Sequence, residues 1–243
     1  MSLACASGLA AVERAANLLL GDRADAVFVV GADILSKFVV SGFNALKSID
    51  PDGCRPFDAR RRGLSPGEAG AALLLVRDGP RAPGPAIAGW GTSNDANHLT
   101  GPSRDGKGLA LAIERALAGA GVAPAGIGYI HGHGTGTVYN DSMESLALKT
   151  VFGESMPPVS STKRITGHTM GAAGLVETVI CLAAAETRLL PGTAGLENPA
   201  ADAPGSILGA PAELERAPAH ILKINSGFGG VNAALAIRTG AGQ

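Results

Sequence analysis

Aromatic side chains are scarce in this chain, at 4% of 243 residues, and no basic excess compensates: 20 Lys and Arg face 21 Asp and Glu, a formal net charge of −1. That argues against nucleic acid as a ligand, which needs basic grooves and aromatic stacking platforms. Cysteine is sparse too. Cys5, Cys54 and Cys181 lie at unrelated spacings that make neither a disulfide framework nor a zinc pattern, so a reducing cytoplasm is the expected location. Long apolar runs are missing: Leu182 to Leu190 is broken by Glu186 and Arg188, short of the roughly 20 residues that cross a bilayer, and no membrane association is expected. The N-terminus has no basic region, apolar run and cleavage site of a secretory signal.

What is plentiful is glycine, 35 residues, with a hydrophobic fraction of 46%, enough for one large core or two small ones. Apolar periodicity predicts a helix over Ala6–Leu20, then a buried strand over Ala26–Val30. Ser36 to Ser48 is mixed, with a helix expected near its end, Arg55 to Gly67 has the composition of a long surface loop, and Ala69 to Val76 reads as another buried strand. Asp78 to Pro85 is the expected boundary between two substructures. After it the pattern restarts with strand Ala86–Gly91, helix Gly106–Ala118, strand Ile127–His131, helix Asp141–Val151, a short strand near Val159, helix Gly171–Leu189, and strands Ile221–Asn225 and Val231–Ile237. Alternation of this kind predicts layered α/β architecture.

Cys5 stands immediately before the first predicted helix, where unpaired N–H groups and the helix dipole lower a thiol pKa, and its neighbours Ala4, Ala6, Ser7 and Gly8 are small enough for a sharp turn. A cysteine among alanines also fits as a small buried hydrophobe. His133 follows a strand ending at His131, in His131-Gly132-His133-Gly134-Thr135-Gly136-Thr137. Strand ends of this sort carry sites in α/β proteins, but a loop histidine has many other uses. His131 and His133 lack the carboxylate or thiolate partners that would complete a metal set.

Lys163 and His168 occupy Ser161-Thr162-Lys163-Arg164-Ile165-Thr166-Gly167-His168, just ahead of the small-residue helix start Gly171-Ala172-Ala173-Gly174. Tight packing there would enclose Lys163, with Glu177 as its ionic partner; a surface lysine and a capping histidine are the plainer alternative. Asn225-Ser226-Gly227-Phe228-Gly229-Gly230 separates two apolar strands, either as a hairpin turn or as a flap whose backbone N–H faces a reacting carbonyl.

In this order the four motifs resemble the β-ketoacyl-acyl-carrier-protein synthases, the elongating condensing enzymes of the thiolase superfamily, over essentially the whole chain. Arg55-Pro56-Phe57-Asp58, Gly67-Glu68, Asn140-Asp141 and Gly171-Ala172-Ala173-Gly174 with Glu177 add to the likeness; Ser226, where a Phe is common, departs from it. The resemblance implies a thiolase-like fold layered α-β-α-β-α, with residues 1–80 the C-terminal part of the first half and 85–243 the whole second half. It implies an N-terminal truncation, because the family's cysteine lies well inside its chain. It also implies decarboxylative Claisen condensation without a metal or redox cofactor. Cys5 would be the nucleophile, the N–H groups of Cys5 and Phe228 the oxyanion donors, and His133 and His168 the donors to the malonyl thioester. Lys163, fixed by Glu177, would shape the potential. Thr135 and Thr137 would bind the phosphopantetheine arm, Phe43 the acyl chain, and Lys47 the acidic acyl carrier protein. A homodimer or a partner synthase subunit is the implied assembly, and a non-catalytic interaction subunit pairing with an intact synthase is the alternative.

Overall fold

The computed structural model describes residues 1–77 and 84–240. The expected boundary at Asp78 to Pro85 lies largely outside the described residues. The first helix, α1 (Ser7–Leu20), buries the stripe Leu9, Val12, Ala16 and Leu19 that the periodicity predicts. Strands β1 (Ala26–Asp33) and β2 (Ala69–Val76) pair antiparallel with each other, Ala26 opposite Val76. Between them, α2 (Lys37–Ala45) is capped by the Ser36 hydroxyl, which accepts from the Val39 N–H. The helix therefore begins at the start of the mixed segment and runs through most of it, and the chain leaves it through Lys47 in a left-handed conformation.

The second unit is a five-stranded sheet in the order β3-β9-β8-β4-β5, formed by β3 (Ala86–Asn94), β4 (Tyr129–His131), β5 (Val159–Ser160), β8 (His220–Gly227) and β9 (Val231–Arg238). Strands β4, β5 and β8 run parallel, whereas β3 and β8 each pair antiparallel with β9. Helices α3 (Lys107–Ala120) and α4 (Val138–Phe152) cover one face around Ile113, Leu117, Met143 and Leu148. The other face is covered by α1 and α6 (Ala173–Thr187), around Leu9, Leu175, Leu235 and Ile237. A short helix, α5 (Lys163–Thr166), follows β5.

α6 ends earlier than the predicted Leu189 because Arg188 takes a left-handed conformation, φ 58°. Leu189 then starts a small antiparallel pair, β6 (Leu189–Leu190) with β7 (Ala212–Glu213). The stretch Met170–Thr187 is long and apolar enough by length and composition to cross a membrane, yet 56% of it is buried within this fold.

On the far side of α1 and α6 lie β1 and β2, so the described residues form four layers, α-β-α-β. Val27, Val29, Leu73 and Leu75 face the helices, whereas Phe28, Val30, Leu74 and Val76 are exposed. These strands are buried on one face only, which corrects the expectation of fully buried strands. The Arg55 to Gly67 segment is also not a surface loop. Phe57 and Asp58 are fully buried, and Asp58 accepts from the N–H groups of Arg60, Glu197 and Asn198. The buried Arg61 is paired with the exposed Asp202, far along the chain, and composition alone did not reveal that pairing.

The two central helices meet through glycine. A Cβ on Gly8 would stand 2.7 Å from the Leu175 nitrogen, and one on Gly174 2.7 Å from the Leu9 nitrogen, so neither backbone leaves space for a side chain. Gly174→Val should therefore lower unfolding stability by about 1–3 kcal/mol, the usual cost of overpacking. An unchanged urea midpoint would show that the helices can separate freely.

Candidate active site

Strands β4 and β8 deliver the site from their carboxyl ends, the edge where parallel strands open toward ligands. β4 ends at His131, and the chain then turns through Gly132-His133-Gly134-Thr135-Gly136 before entering α4. Two carboxylates on the first turns of α4 organise that turn. Glu144 accepts from the N–H groups of His133, at 2.7 Å, and Gly134, at 2.8 Å; Asp141 accepts from Thr135, at 3.0 Å, and from Phe57 across the molecule, at 2.8 Å. Gly134 and Gly136 both have positive φ, and a Cβ on Gly134 would lie 2.5 Å from the Ser161 Cβ.

Eight of the ten residues named from the sequence, Cys5, Phe43, Lys47, His133, Thr135, Thr137, His168 and Phe228, line a single cavity of about 640 Å³. The His133 and His168 rings stand edge to face with centroids 5.2 Å apart, and the Phe43 and Phe228 rings lie 5.9 Å apart. The Thr135 and Thr137 hydroxyls bond each other at 2.9 Å. The remaining two are buried behind the cavity: Lys163 donates to the His133 carbonyl and forms an ion pair with Glu177. The enclosed lysine is the arrangement adopted, not the surface one.

Cys5 lies at a strained turn, with Ala4 at φ 47°, and the Ser7 hydroxyl donates to the Ala4 carbonyl. Burial pushes its thiol up to about 11, against the lowering influence of Lys163 and of the Phe228 backbone N–H. The expectation of a lowered Cys5 pKa at the helix start is thereby corrected: desolvation outweighs Lys163 and the Phe228 N–H, and the resting group is a thiol. The other two thiols, Cys54 and Cys181, are buried and unpaired, with Cys181 raised to about 12 by burial.

Burial, with Lys163 next in weight, holds both site histidines neutral: His168 is lowered to about 3, and His133 falls well below its usual range. The proton on His133 is located by its neighbours. The Asn225 amide nitrogen lies 3.2 Å from Glu177 Oε2, and a carboxylate can only accept, so that nitrogen is the amide N–H₂. Its second hydrogen points to His133 Nδ1 at 2.9 Å, which leaves the ring proton on Nε2. His168 carries a buried Nδ1 with no hydrogen-bond partner, while its peptide group is fixed to Ser65 and Gly67. His131 turns elsewhere: Nδ1 donates to the Gly132 carbonyl and Nε2 meets the Thr162 hydroxyl, so the two histidines of the His-x-His pattern have separate partners.

Glu144, Asn225 and Lys223 were not singled out from the sequence. Lys223 is fully buried in β8, with its ammonium 2.8 Å from Glu177 Oε2. A lysine in the middle of the apolar run Ile221-Leu222-Lys223-Ile224 was the available signal. For Glu144 the signal was its place three residues after Asp141, one turn along the same helix.

Chemically, the arrangement puts a thiol, two neutral imidazoles and a backbone N–H around one cavity under positive potential, which suits acyl transfer and stabilisation of an anion. Comparisons with known proteins agree. Residues 2–79 match the beta-ketoacyl synthase N-terminal domain and residues 85–197 the beta-ketoacyl synthase C-terminal domain. The chain is 36% identical to a putative polyketide beta-ketoacyl synthase 1 of Streptomyces halstedii, covering 98% of this chain and 59% of that one. It is likewise 36% identical to the 3-oxoacyl-[acyl-carrier-protein] synthase 2 of Vibrio cholerae, over 97% of this chain and 60% of that one. Among solved structures, a chain of the complex of the ketosynthase ApeO with its chain length factor ApeC, from Xenorhabdus doucetiae, superposes with a TM-score of 0.91 at 38% identity, covering 98% of this chain and 59% of that chain. The chain thus spans about three fifths of the length of these relatives.

Burial, with Asp141 second, pushes the Glu144 carboxyl up to about 7 from 4.5. Between those values the folded chain keeps a proton that the unfolded chain has released. This group's contribution to stability is therefore full below about 4.5 and is lost as pH climbs through about 7. Glu144→Gln should flatten that fall, read as urea midpoints at about pH 5 and about pH 8; an equally steep fall in the variant would assign the dependence to another group.

Proposed function

We infer function from one premise: this chain belongs to the β-ketoacyl synthase family. The reading is decarboxylative Claisen condensation of an acyl thioester with a malonyl thioester, both carried on acyl carrier protein, in fatty acid or polyketide synthesis. What supports it above all is the convergence of Cys5, His133, His168 and Phe228 on one cavity. Residues 1–80 would close the first thiolase-like half and 85–243 form the second, with the site between the cysteine of one and the histidines of the other.

In the first step the Cys5 sulfur attacks the acyl thioester carbonyl, with the Cys5 and Phe228 N–H groups holding the oxyanion. The carrier thiol leaves with the proton that the Cys5 thiol gives up, so a neutral resting thiol is consistent with exchange. Malonyl thioester then loses carbon dioxide, and its electron pair becomes an enolate whose oxygen takes hydrogen bonds from His133 Nε2–H and from His168. The enolate carbon attacks the acyl-Cys5 carbonyl, and the Cys5 sulfur departs as a thiolate that takes up one proton from water. Lys163, paired with Glu177, holds positive potential beside the rings. Thr135 and Thr137 are suited to the pantetheine arm, Phe43 to the acyl chain, and Lys47 at the cavity to the acidic carrier. A cytoplasmic location suits three free thiols.

Decarboxylation needs enolate stabilisation but no nucleophile. In a form extended to the length of its relatives, Cys5→Ala should abolish condensation yet retain carbon dioxide release from malonyl carrier, whereas His133→Ala or His168→Ala should lower that release by about 10²-fold or more, the scale of losing one preorganised donor. Release abolished by Cys5→Ala and normal in both histidine variants would overturn the roles.

A second reading, an interaction subunit that pairs with an intact synthase, is favoured by one feature. Phe28, Val30, Leu74 and the 86% exposed Phe38 present apolar side chains on and beside the outer sheet. The residues 1–243 alone should therefore self-associate or bind a synthase subunit and show little condensation. A monomer in sedimentation that forms product from acyl and malonyl carriers would refute this.

A further inference from the structure

Lys223 plays no part in the reaction as outlined, yet it is fully buried and more densely bonded than its position in an apolar strand requires. Its ammonium lies 2.8 Å from Glu177 Oε2, 3.2 Å from the Gly132 carbonyl and 3.3 Å from the His131 carbonyl, and it donates to the Ile224 carbonyl at 2.5 Å. These partners belong to three elements: α6, the exit of β4 that leads into His133, and β8 itself. Burying an ammonium is costly, and a position kept for packing alone would be filled more stably by leucine or methionine.

The ammonium acts on His133 by a short chain of contacts. Lys163 holds one Glu177 oxygen and Lys223 the other; on the oxygen that Lys223 holds, Asn225 places the first of its amide hydrogens, which aims the second at His133 Nδ1. Remove the Lys223 charge and Glu177 is free to rotate toward Lys163, Asn225 loses the acceptor that fixes its orientation, and His133 Nδ1 loses its donor. We propose that Lys223 is a positioning residue, which fixes Glu177 and Asn225 so that His133 keeps its ring proton on Nε2, facing the cavity.

The proposal rests on the reading of His133 as a hydrogen-bond donor, but it is tested without turnover. The groups facing His133 are Lys163 on α5, His168 on the following turn, Lys223 on β8, His131 on β4, Glu144 on α4 and Glu177 on α6 behind Asn225. In the chain as it stands, nitrogen-resolved NMR of the imidazoles should show His133 as the Nε2–H tautomer, and neutral through the acidic range. In Lys223→Met, which keeps length and removes charge, His133 should become a mixture of tautomers. Its titration should also move up by about one pH unit or more, as loss of a nearby like charge dictates. A purely structural role would lower the unfolding midpoint and leave the ring tautomer and titration in place, and that result overturns the proposal. Where Lys223→Met does not fold, Lys223→Gln, which keeps an N–H for the Gly132 and Ile224 carbonyls, carries the same expectations and the same refutation. The carbon dioxide assay stands apart: normal release in His133→Ala would remove the donor role while leaving the tautomer result intact.

Discussion

Two buried ammonium groups sharing one buried carboxylate are the constraint on which the site depends. Lys163, Glu177 and Lys223 come from α5, α6 and β8, and all three side chains are buried. None can be desolvated alone, and breaking such a pair costs about 3–5 kcal/mol, so the three elements must be brought together as one. The carbonyls of His131, Gly132 and His133 complete the shells of the two lysines, which ties the histidine-bearing turn to the same cluster. Burial works to raise the Glu177 carboxyl, but the two lysines outweigh it and hold the group below its ordinary value. Glu177 therefore stays ionised, while burial lowers Lys223 from its ordinary value against the pull of Glu177; with both lysines protonated the cluster carries a net positive charge.

That surplus charge explains the protonation states around the cavity. Positive potential and burial act together on the histidines, keeping both neutral, and act in opposition on Cys5, where burial wins and the thiol persists. In the proposed condensation, an anion at the cavity, whether thiolate, tetrahedral oxyanion or enolate, would meet potential that is already in place and requires no reorganisation. The resting site carries no such anion, which leaves the positive potential unspent until substrate arrives. A neutral imidazole with a fixed Nε2–H is the matching donor, since an acceptor nitrogen turned to the cavity would repel the same charge.

Much of this was legible in the sequence where the signal is periodic or glycine-rich. The stripe of α1, the bounds of β2 and the small-residue packing at Gly174 follow from side-chain spacing and size, which act locally. The site residues were ambiguous one by one, and what grouped Cys5, His133, Lys163, His168 and Phe228 was the order of their motifs, which resembles that of the condensing enzymes; the structure brings four of them to one cavity with Lys163 buried beside His133. What stayed hidden depends on partners far along the chain. The Arg55 to Gly67 segment has the composition of a surface loop, yet Asp58 is satisfied by backbone about 140 residues away. Lys223 in a strand signals an exposed face unless its carboxylate is known to lie on α6, and no local pattern carries that fact.

The two small strands make the same point from the other direction. Val27 and Val29 alternate with Phe28 and Val30, so β1 is apolar on both faces, and β2 repeats the pattern with Leu73 and Leu75 against Leu74 and Val76. Strands covered on both sides are written this way, whereas a half-covered antiparallel pair normally alternates apolar with polar residues. The reading of both strands as buried followed that rule correctly from the sequence, and the described residues supply only the helical layer of α1 and α6. The mismatch is confined to one face: Phe28, Val30, Leu74 and Val76 on the outer side of β1 and β2 are as apolar as the residues that meet α1 and α6, yet they are exposed among the described residues.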